Sequence, residues 1–224
     1  MEFNIRKFIN NIIKEELEDY KGDHEAPHVS DGESSSPIYD MVNAFGEDIY
    51  TSNAVRYFGT GLPYDHQAAH IIQSVRNKPN ALITIYRSVP DLNFELKNKI
   101  KPIVDLLNYH LHYNFFPLRS KRTKEQNQMI DFLEDEKYNH IENYDEKRKL
   151  VLQDLRDQLV KLQQEKIKPL SINDGDWVTT IKQYAIDHGK DNLNKKYKVI
   201  QKTVRAKNIY GNGDSLVEFG YSVV

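Results

Sequence analysis

Two β-like runs in this chain are separated by about eighty polar residues, and that gap constrains the fold more than any other feature. The first run, ALITIYRSVP at 81–90, is β-branched, aromatic and closed by proline. The next begins only at Trp177. Between them the apolar residues follow helical spacing. Ile100, Val104, Leu107, Leu111 and Phe115 recur at steps of four and three. Leu152, Leu155, Leu159 and Leu162 recur at three, four and three, a heptad-like seam suited to packing along another helix. Met129, Phe132, Leu133 and Tyr138 mark a third segment able to face that seam. The pattern predicts a helical hairpin or small bundle over 91–168, inserted between strands of a core built from 1–90 and 169–224. A charged fraction of 29% and a mean hydropathy of −0.70 then have a physical source, the solvated surface of that insertion.

The rest of the chain reads as α+β, a mixed β core of short strands with an N-terminal helical and loop region. MEFNIRKFINNIIKEELEDY is an amphipathic helix with charged flanks, not a cleavable leader. Residues 22–63 are rich in turn formers, yet Phe45, Tyr50, Tyr57 and Phe58 require burial, so an ordered loop-rich segment over the core is expected. A helix follows at about 65–77 and stops at the Asn-Lys-Pro sequence. Beyond the insertion, DWVTT predicts a strand and IKQYAIDHG a helix ended by Gly189. KKYKVIQKTVRAKNIY predicts one long strand, GNGD a turn, and SLVEFGYSVV a final strand.

Several chemistries are excluded or disfavoured. There is no cysteine, hence no disulfide framework and no thiolate nucleophile or ligand. A net charge of −2 gives no general attraction to nucleic-acid phosphate, although a local patch is compatible with it. His66 and His70 lie one helical turn apart, but Gln67 stands where a zinc protease needs its glutamate base, so they read as surface histidines. Neither a G-x-S-x-G elbow nor a phosphate loop is present. No run approaches membrane-spanning length, and the expectation is a cytoplasmic protein without a membrane partner.

Two charges interrupt apolar strands: Arg87 after Tyr86, and Glu218 between Val217 and Phe219. Each either alternates outward to water or faces a polar partner, because unpaired burial is costly. Thr179 and Thr180 end the strand between them. The order and spelling of these pieces resemble the arginine–serine/threonine–glutamate class of ADP-ribosyltransferases, the cholera-toxin-like branch, and most closely its phage- and mobile-element-encoded members. The matching segments are His24-Glu25-Ala26-Pro27, Tyr86-Arg87-Ser88-Val89-Pro90, Gly175-Asp176-Trp177-Val178 and Glu218-Phe219-Gly220-Tyr221. They cover roughly 22–90 and 172–221.

The resemblance implies NAD as co-substrate and a host protein or nucleic acid as acceptor. It implies that Glu218 stabilises positive charge developing on the ribose. Arg87 would clamp the dinucleotide phosphates or the adjoining ribose, and Thr179 and Thr180 would steady the glutamate. Tyr86 and His24 fall in the matched segments that surround the dinucleotide, and Tyr184 and Trp177 would stack on nicotinamide, a core role being the preferred reading for Trp177. His188, at its helix end, reads as a cap. Two departures stand out. Leu216 occupies the position where arginine-modifying members carry Glu or Gln, and Ile181 replaces a serine after the two threonines.

A second class of function stays open: a binding protein with a transferase-like core and a working surface on the insertion. The basic run LRSKRTK at 118–124 and the aromatics Tyr113, Phe115 and Phe116 suit nucleotide stacking or, as the preferred expectation, helix packing.

Overall fold

The heptad-like leucines are all buried. In a computed structural model that describes residues 7–8, 10–11, 25–113, 115–135, 144–164, 170–193 and 195–223, the long segment between the β runs forms three helices. Numbered in chain order, the elements before it are β1 (Ser36–Pro37), α1 (Val42–Phe45), α2 (Ala54–Phe58), α3 (Asp65–Ser74) and β2 (Leu82–Pro90). The three helices are α4 (Leu92–Tyr113), α5 (Lys124–Asp135) and α6 (Tyr144–Gln164). After them come β3 (Asp176–Val178), α7 (Lys182–Asn192), β4 (Tyr197–Arg205), β5 (Ile209–Gly211) and β6 (Phe219–Tyr221). The chain is α+β. No helix among the described residues is long and apolar enough to cross a membrane.

Contacts divide the chain into two units, 1–21 with 91–169 and 22–90 with 170–224. In the first, Leu152, Leu155, Leu159 and Leu162 of α6 pack on Leu96, Ile100, Ile103 and Leu107 of α4 and on Met129 of α5. Phe8 is buried in this same cluster. Phe8 therefore groups with the helices, not with the β core expected over 1–90; most of the N-terminal helix expected over 1–20 lies outside the described residues. Phe115, expected on the buried stripe, lies past the end of α4 and is 56% exposed. Ile103, three residues after Ile100, is fully buried, and its neighbour Val104 only partly so. The side chains of Phe132, Leu133 and Tyr138 lie outside the described residues.

In the second unit every strand pairing among the described residues is antiparallel. One sheet has the order β1-β5-β6-β3; the other is the ribbon β2-β4, paired from Leu82↔Arg205 to Pro90↔Tyr197. Strand periodicity puts Ile83, Ile85 and Val89 on one buried face of β2. The loop-rich segment contributes Ile38, Met41, Phe45 and Ile49 to the core shared with Ile72, Ile83, Ile85, Val178 and Phe219. Tyr57 is an exception and is 54% exposed.

Three boundaries differ from expectation. The run at 195–210 is two strands in different sheets, because a 3-10 turn at Ala206–Asn208 ends β4 and redirects the chain into β5. The last strand is short, and Glu218 immediately precedes β6. Gly189 does not end its helix; α7 continues to Asn192. It is glycine for a packing reason, since a Cβ there would sit 2.3 Å from the Tyr197 ring of β4 and 2.7 Å from Ser88 Oγ of β2. The helix backbone lies directly on the ribbon, and the buried Ser88 hydroxyl donates to the Ala185 carbonyl across that contact.

Gly189→Ala should therefore destabilise this unit by about 2 kcal/mol through overpacking, despite alanine's better helix propensity. Urea unfolding of the variant would check it, with Asp191→Ala, at an exposed neighbouring position, as the control.

Candidate functional site

Two backbone hydrogen bonds assemble the candidate site. The Tyr86 N–H donates to the Thr179 carbonyl at 2.8 Å, and the Thr179 N–H returns to the Tyr86 carbonyl at 2.9 Å. This single bridge joins the β2-β4 ribbon to the end of β3 in the other sheet. It sets Arg87 beside β3, where its guanidinium forms an ion pair with Asp176. Arg87 lies on the same face of β2 as Ile83, Ile85 and Val89, and its side chain is only 15% exposed. The alternative of an arginine pointing to water is thus corrected. Asp176 is held in turn, because its other carboxylate oxygen accepts from the Asn173 N–H at 2.8 Å.

The β3–β6 register brings in the glutamate. Asp176 pairs with Tyr221, Trp177 with Gly220 and Val178 with Phe219. The ladder ends there, with Thr179 the next residue after β3 and Glu218 the residue just before β6. Only Ile181 intervenes between Thr180 and α7, so that helix starts beside the same point. On its first turn Tyr184 donates its hydroxyl to Glu218 Oε1 at 2.5 Å, a short bond typical of a phenol meeting a carboxylate. Burial is the main cause raising the Tyr184 phenol above its ordinary 10.0; the hydrogen bond to Glu218 and that group's charge add to it. Tyr184 is a donor to Glu218 throughout the neutral range.

The resemblance assigned the steadying of Glu218 to the threonines and stacking to Tyr184. The geometry differs. Thr179 is buried, and its Oγ1 accepts from the Ile181 N–H at 3.0 Å, closing a local turn that leads into α7. The hydroxyl that meets Glu218 belongs to Tyr184. Thr180 is buried as well, and its Oγ1 has no hydrogen-bond partner among the described residues. Tyr86, partly buried, contributes its backbone to the bridge. Trp177 is partly buried at the centre of β3. His188 is exposed, with its ring 6.3 Å from that of Tyr184, and lies within α7 instead of capping it.

His24 lies outside the described residues. The segment that follows it is placed: Pro27 is buried, and a Cβ on Gly220 would approach its carbonyl oxygen to 1.7 Å. Glycine at 220 is what lets the Glu25–His28 segment lie against β6. His28 then reaches Asp174 at 3.3 Å. His66 and His70 are exposed, and no cluster of three metal-ligating side chains occurs among the described residues.

Three participants were missed in the sequence. Asp176 is the partner of Arg87, and its signal was available: a carboxylate in a strand next to a strand carrying an isolated arginine. Tyr64 and Asp187 had no local signal, being separated by 123 residues. The Tyr64 hydroxyl donates to Asp187, and the Tyr64 ring meets that of Tyr184 edge-on at 6.1 Å. Hydrogen bonds from Tyr64, Lys190 and Gln183 hold the Asp187 carboxyl down at about 2. The outcome is a wall of two tyrosines whose hydroxyls are each committed to a carboxylate.

No family model, curated protein or solved structure matches the chain.

The Tyr184–Glu218 bond has a signed pH consequence. A phenol whose pKa is raised on folding contributes stability present below the unfolded value near 10 and lost progressively above it. Wild-type stability should thus fall more steeply between pH 9 and 11 than that of Tyr184→Phe, measured by denaturant midpoints. Equal slopes would remove Tyr184 from that role.

Proposed function

We propose that the chain is an NAD-dependent mono-ADP-ribosyltransferase, phage- or mobile-element-encoded, that modifies a host protein or nucleic acid and releases nicotinamide. The observation that carries this reading is the convergence on one β junction of Glu218, Thr179 and Arg87, each held by a named partner. The sequence resemblance supplies the class, and an ADP-ribosyltransferase-like core is part of the proposal.

In the proposed reaction the bond between nicotinamide and the ribose carbon breaks, and its electron pair leaves with neutral nicotinamide. An acceptor nucleophile then bonds to that carbon and gives up its proton. Positive charge on the ribose is greatest between these events, and Glu218 supplies a fixed negative charge against it. Tyr184 fixes that carboxylate through Oε1. A carboxylate oxygen accepts more than one bond, so capacity for a ribose hydroxyl is retained. Arg87 supplies paired donors suited to phosphate oxygens, with Asp176 fixing its position. The partnerless Thr180 hydroxyl fits a junction that receives a polar ligand, because buried hydroxyls are ordinarily satisfied.

The acceptor is argued from Leu216. This residue is fully buried in the apolar core, two positions before Glu218. There is no polar side chain at that point to orient a guanidinium, so we infer an acceptor other than arginine reached by that route. NAD hydrolysis in the absence of acceptor follows from the same chemistry.

Added NAD should raise the melting temperature, and radiolabelled NAD should mark a component of a host lysate with nicotinamide release. Glu218→Gln should keep the fold and the thermal shift but lower release by roughly 100-fold. Arg87→Ala should lose the shift. Full biological effect in both variants would instead assign the chain to the binding-protein class. Absence of both shift and release would reject the transferase reading.

A further inference from the structure

The helical unit leaves a cluster of aromatic rings in water beside a basic turn. Tyr109, Tyr113 and Phe115 are 36%, 52% and 56% exposed. They are not loose side chains. The Tyr109 ring lies 4.6 Å from Tyr113 and 5.8 Å edge-on from Phe115, and Tyr113 lies 6.1 Å from Phe115. His112, exposed, stands edge-on to Tyr113 at 4.4 Å. The expectation that Tyr113 and Phe115 pack between helices is therefore overturned; of the three aromatics considered, only Phe116 turns inward, stacked on buried His110 at 4.2 Å.

The turn that follows in sequence is tied to the inward-turned Phe116 and to Pro117. Arg122 donates from Nε to the Pro117 carbonyl at 2.5 Å and lies 6.0 Å above the Phe116 ring. With Arg122 committed in this way, Arg119, Lys121 and Lys124 remain exposed, and none takes part in an ion pair among the described residues. The described acids nearest in sequence, Glu125, Asp131 and Asp105, form no ion pair with them. The sequence thus brings three exposed rings and three exposed cations within sixteen residues, 109–124, on a chain whose overall charge is −2.

We propose that this surface docks a single-stranded nucleic acid, with bases stacked on Tyr109, Tyr113 and Phe115 and phosphates met by Arg119, Lys121 and Lys124. Charge complementarity selects the occupant. An apolar protein partner would use the rings but would leave three cations facing it without acids. A duplex would offer phosphates but keep its bases stacked away from the rings. A single strand satisfies both halves of the surface. Recognition of this kind tolerates any sequence, because every base has a π-face and every nucleotide a phosphate. The proposal does not rest on NAD chemistry and holds whether or not the β junction turns over NAD.

The test is fluorescence anisotropy of the full chain with labelled twelve-nucleotide oligouridylate, oligothymidylate and a mixed-sequence duplex, over a salt series. Single strands should bind more tightly than the duplex; the two single-strand arms show whether the ribose hydroxyl contributes. The double variant Tyr113→Ala/Phe115→Ala should weaken binding about tenfold or more with an unchanged salt slope. Arg119→Ala/Lys121→Ala should lower the slope by roughly 1.4, about 0.7 for each phosphate that is no longer neutralised. Circular dichroism would check the fold of both, and the cation variant changes only exposed side chains, which keeps the test decisive if the aromatic variant unfolds. No binding at low salt, equal duplex affinity, or binding unaffected by the cation variant would overturn the proposal. So would a concentration-dependent dimer, seen by sedimentation, that the aromatic variant abolishes, since the rings would then serve self-association.

Discussion

The junction depends on one pair of backbone hydrogen bonds, between Tyr86 and Thr179. Through it a nine-residue ribbon strand meets a three-residue strand of another sheet. Side chains on a strand alternate between faces, so a one-residue slip at this bridge would turn Arg87 away from Asp176. Long strands secure their register by many bonds, but β3 has few. Its position is fixed from both sides, by β6 through three pairs and by β2 through the bridge.

Helix α7 adds a third constraint by approaching the ribbon at backbone distance. Gly189 permits the approach and the Ser88 hydroxyl closes it on the Ala185 carbonyl. Tyr184, one residue before that carbonyl, is carried to Glu218 by the same packing. The phenol–carboxylate bond is thus a product of helix placement, and it needs no flexible side chain to find its geometry. Preorganisation of this kind matters for electrostatic stabilisation, because groups already oriented do not have to reorganise as charge develops.

Much of this arrangement was readable in the sequence because it rests on periodicity. The leucine steps of α6, the β-branched run of β2 and the apolar spacing of α3 each reflect one face of one element meeting a core. The errors fall where tertiary packing overrides local signal. Gly189 looked like a helix stop because glycine terminates helices by its backbone freedom, yet here it is present for its missing Cβ. The run through Ala206 looked continuous because β propensity does not register a change of sheet. Tyr113 and Phe115 looked like packing residues because a sequence shows apolar area without showing whether a partner covers it. The partnership of Tyr64 with Asp187 joins residues with no shared local pattern, and no periodic argument reaches it.

Buried polarity separates the junction from an ordinary antiparallel core. The Arg87–Asp176 pair is partly withdrawn from water, with side chains 15% and 22% exposed, so each charge gives up hydration that apolar residues at positions 87 and 176 would not need. The partnerless Thr180 hydroxyl adds to this, its burial being unfavourable by about 1–3 kcal/mol. An unsatisfied hydroxyl alone does not single out the junction, since the buried Ser36 and Ser222 hydroxyls also lack a partner among the described residues. What distinguishes it is the meeting of an arginine–aspartate pair and a phenol–carboxylate bond where two sheets and a helix adjoin, an arrangement in which stability is given up for the placement of charge.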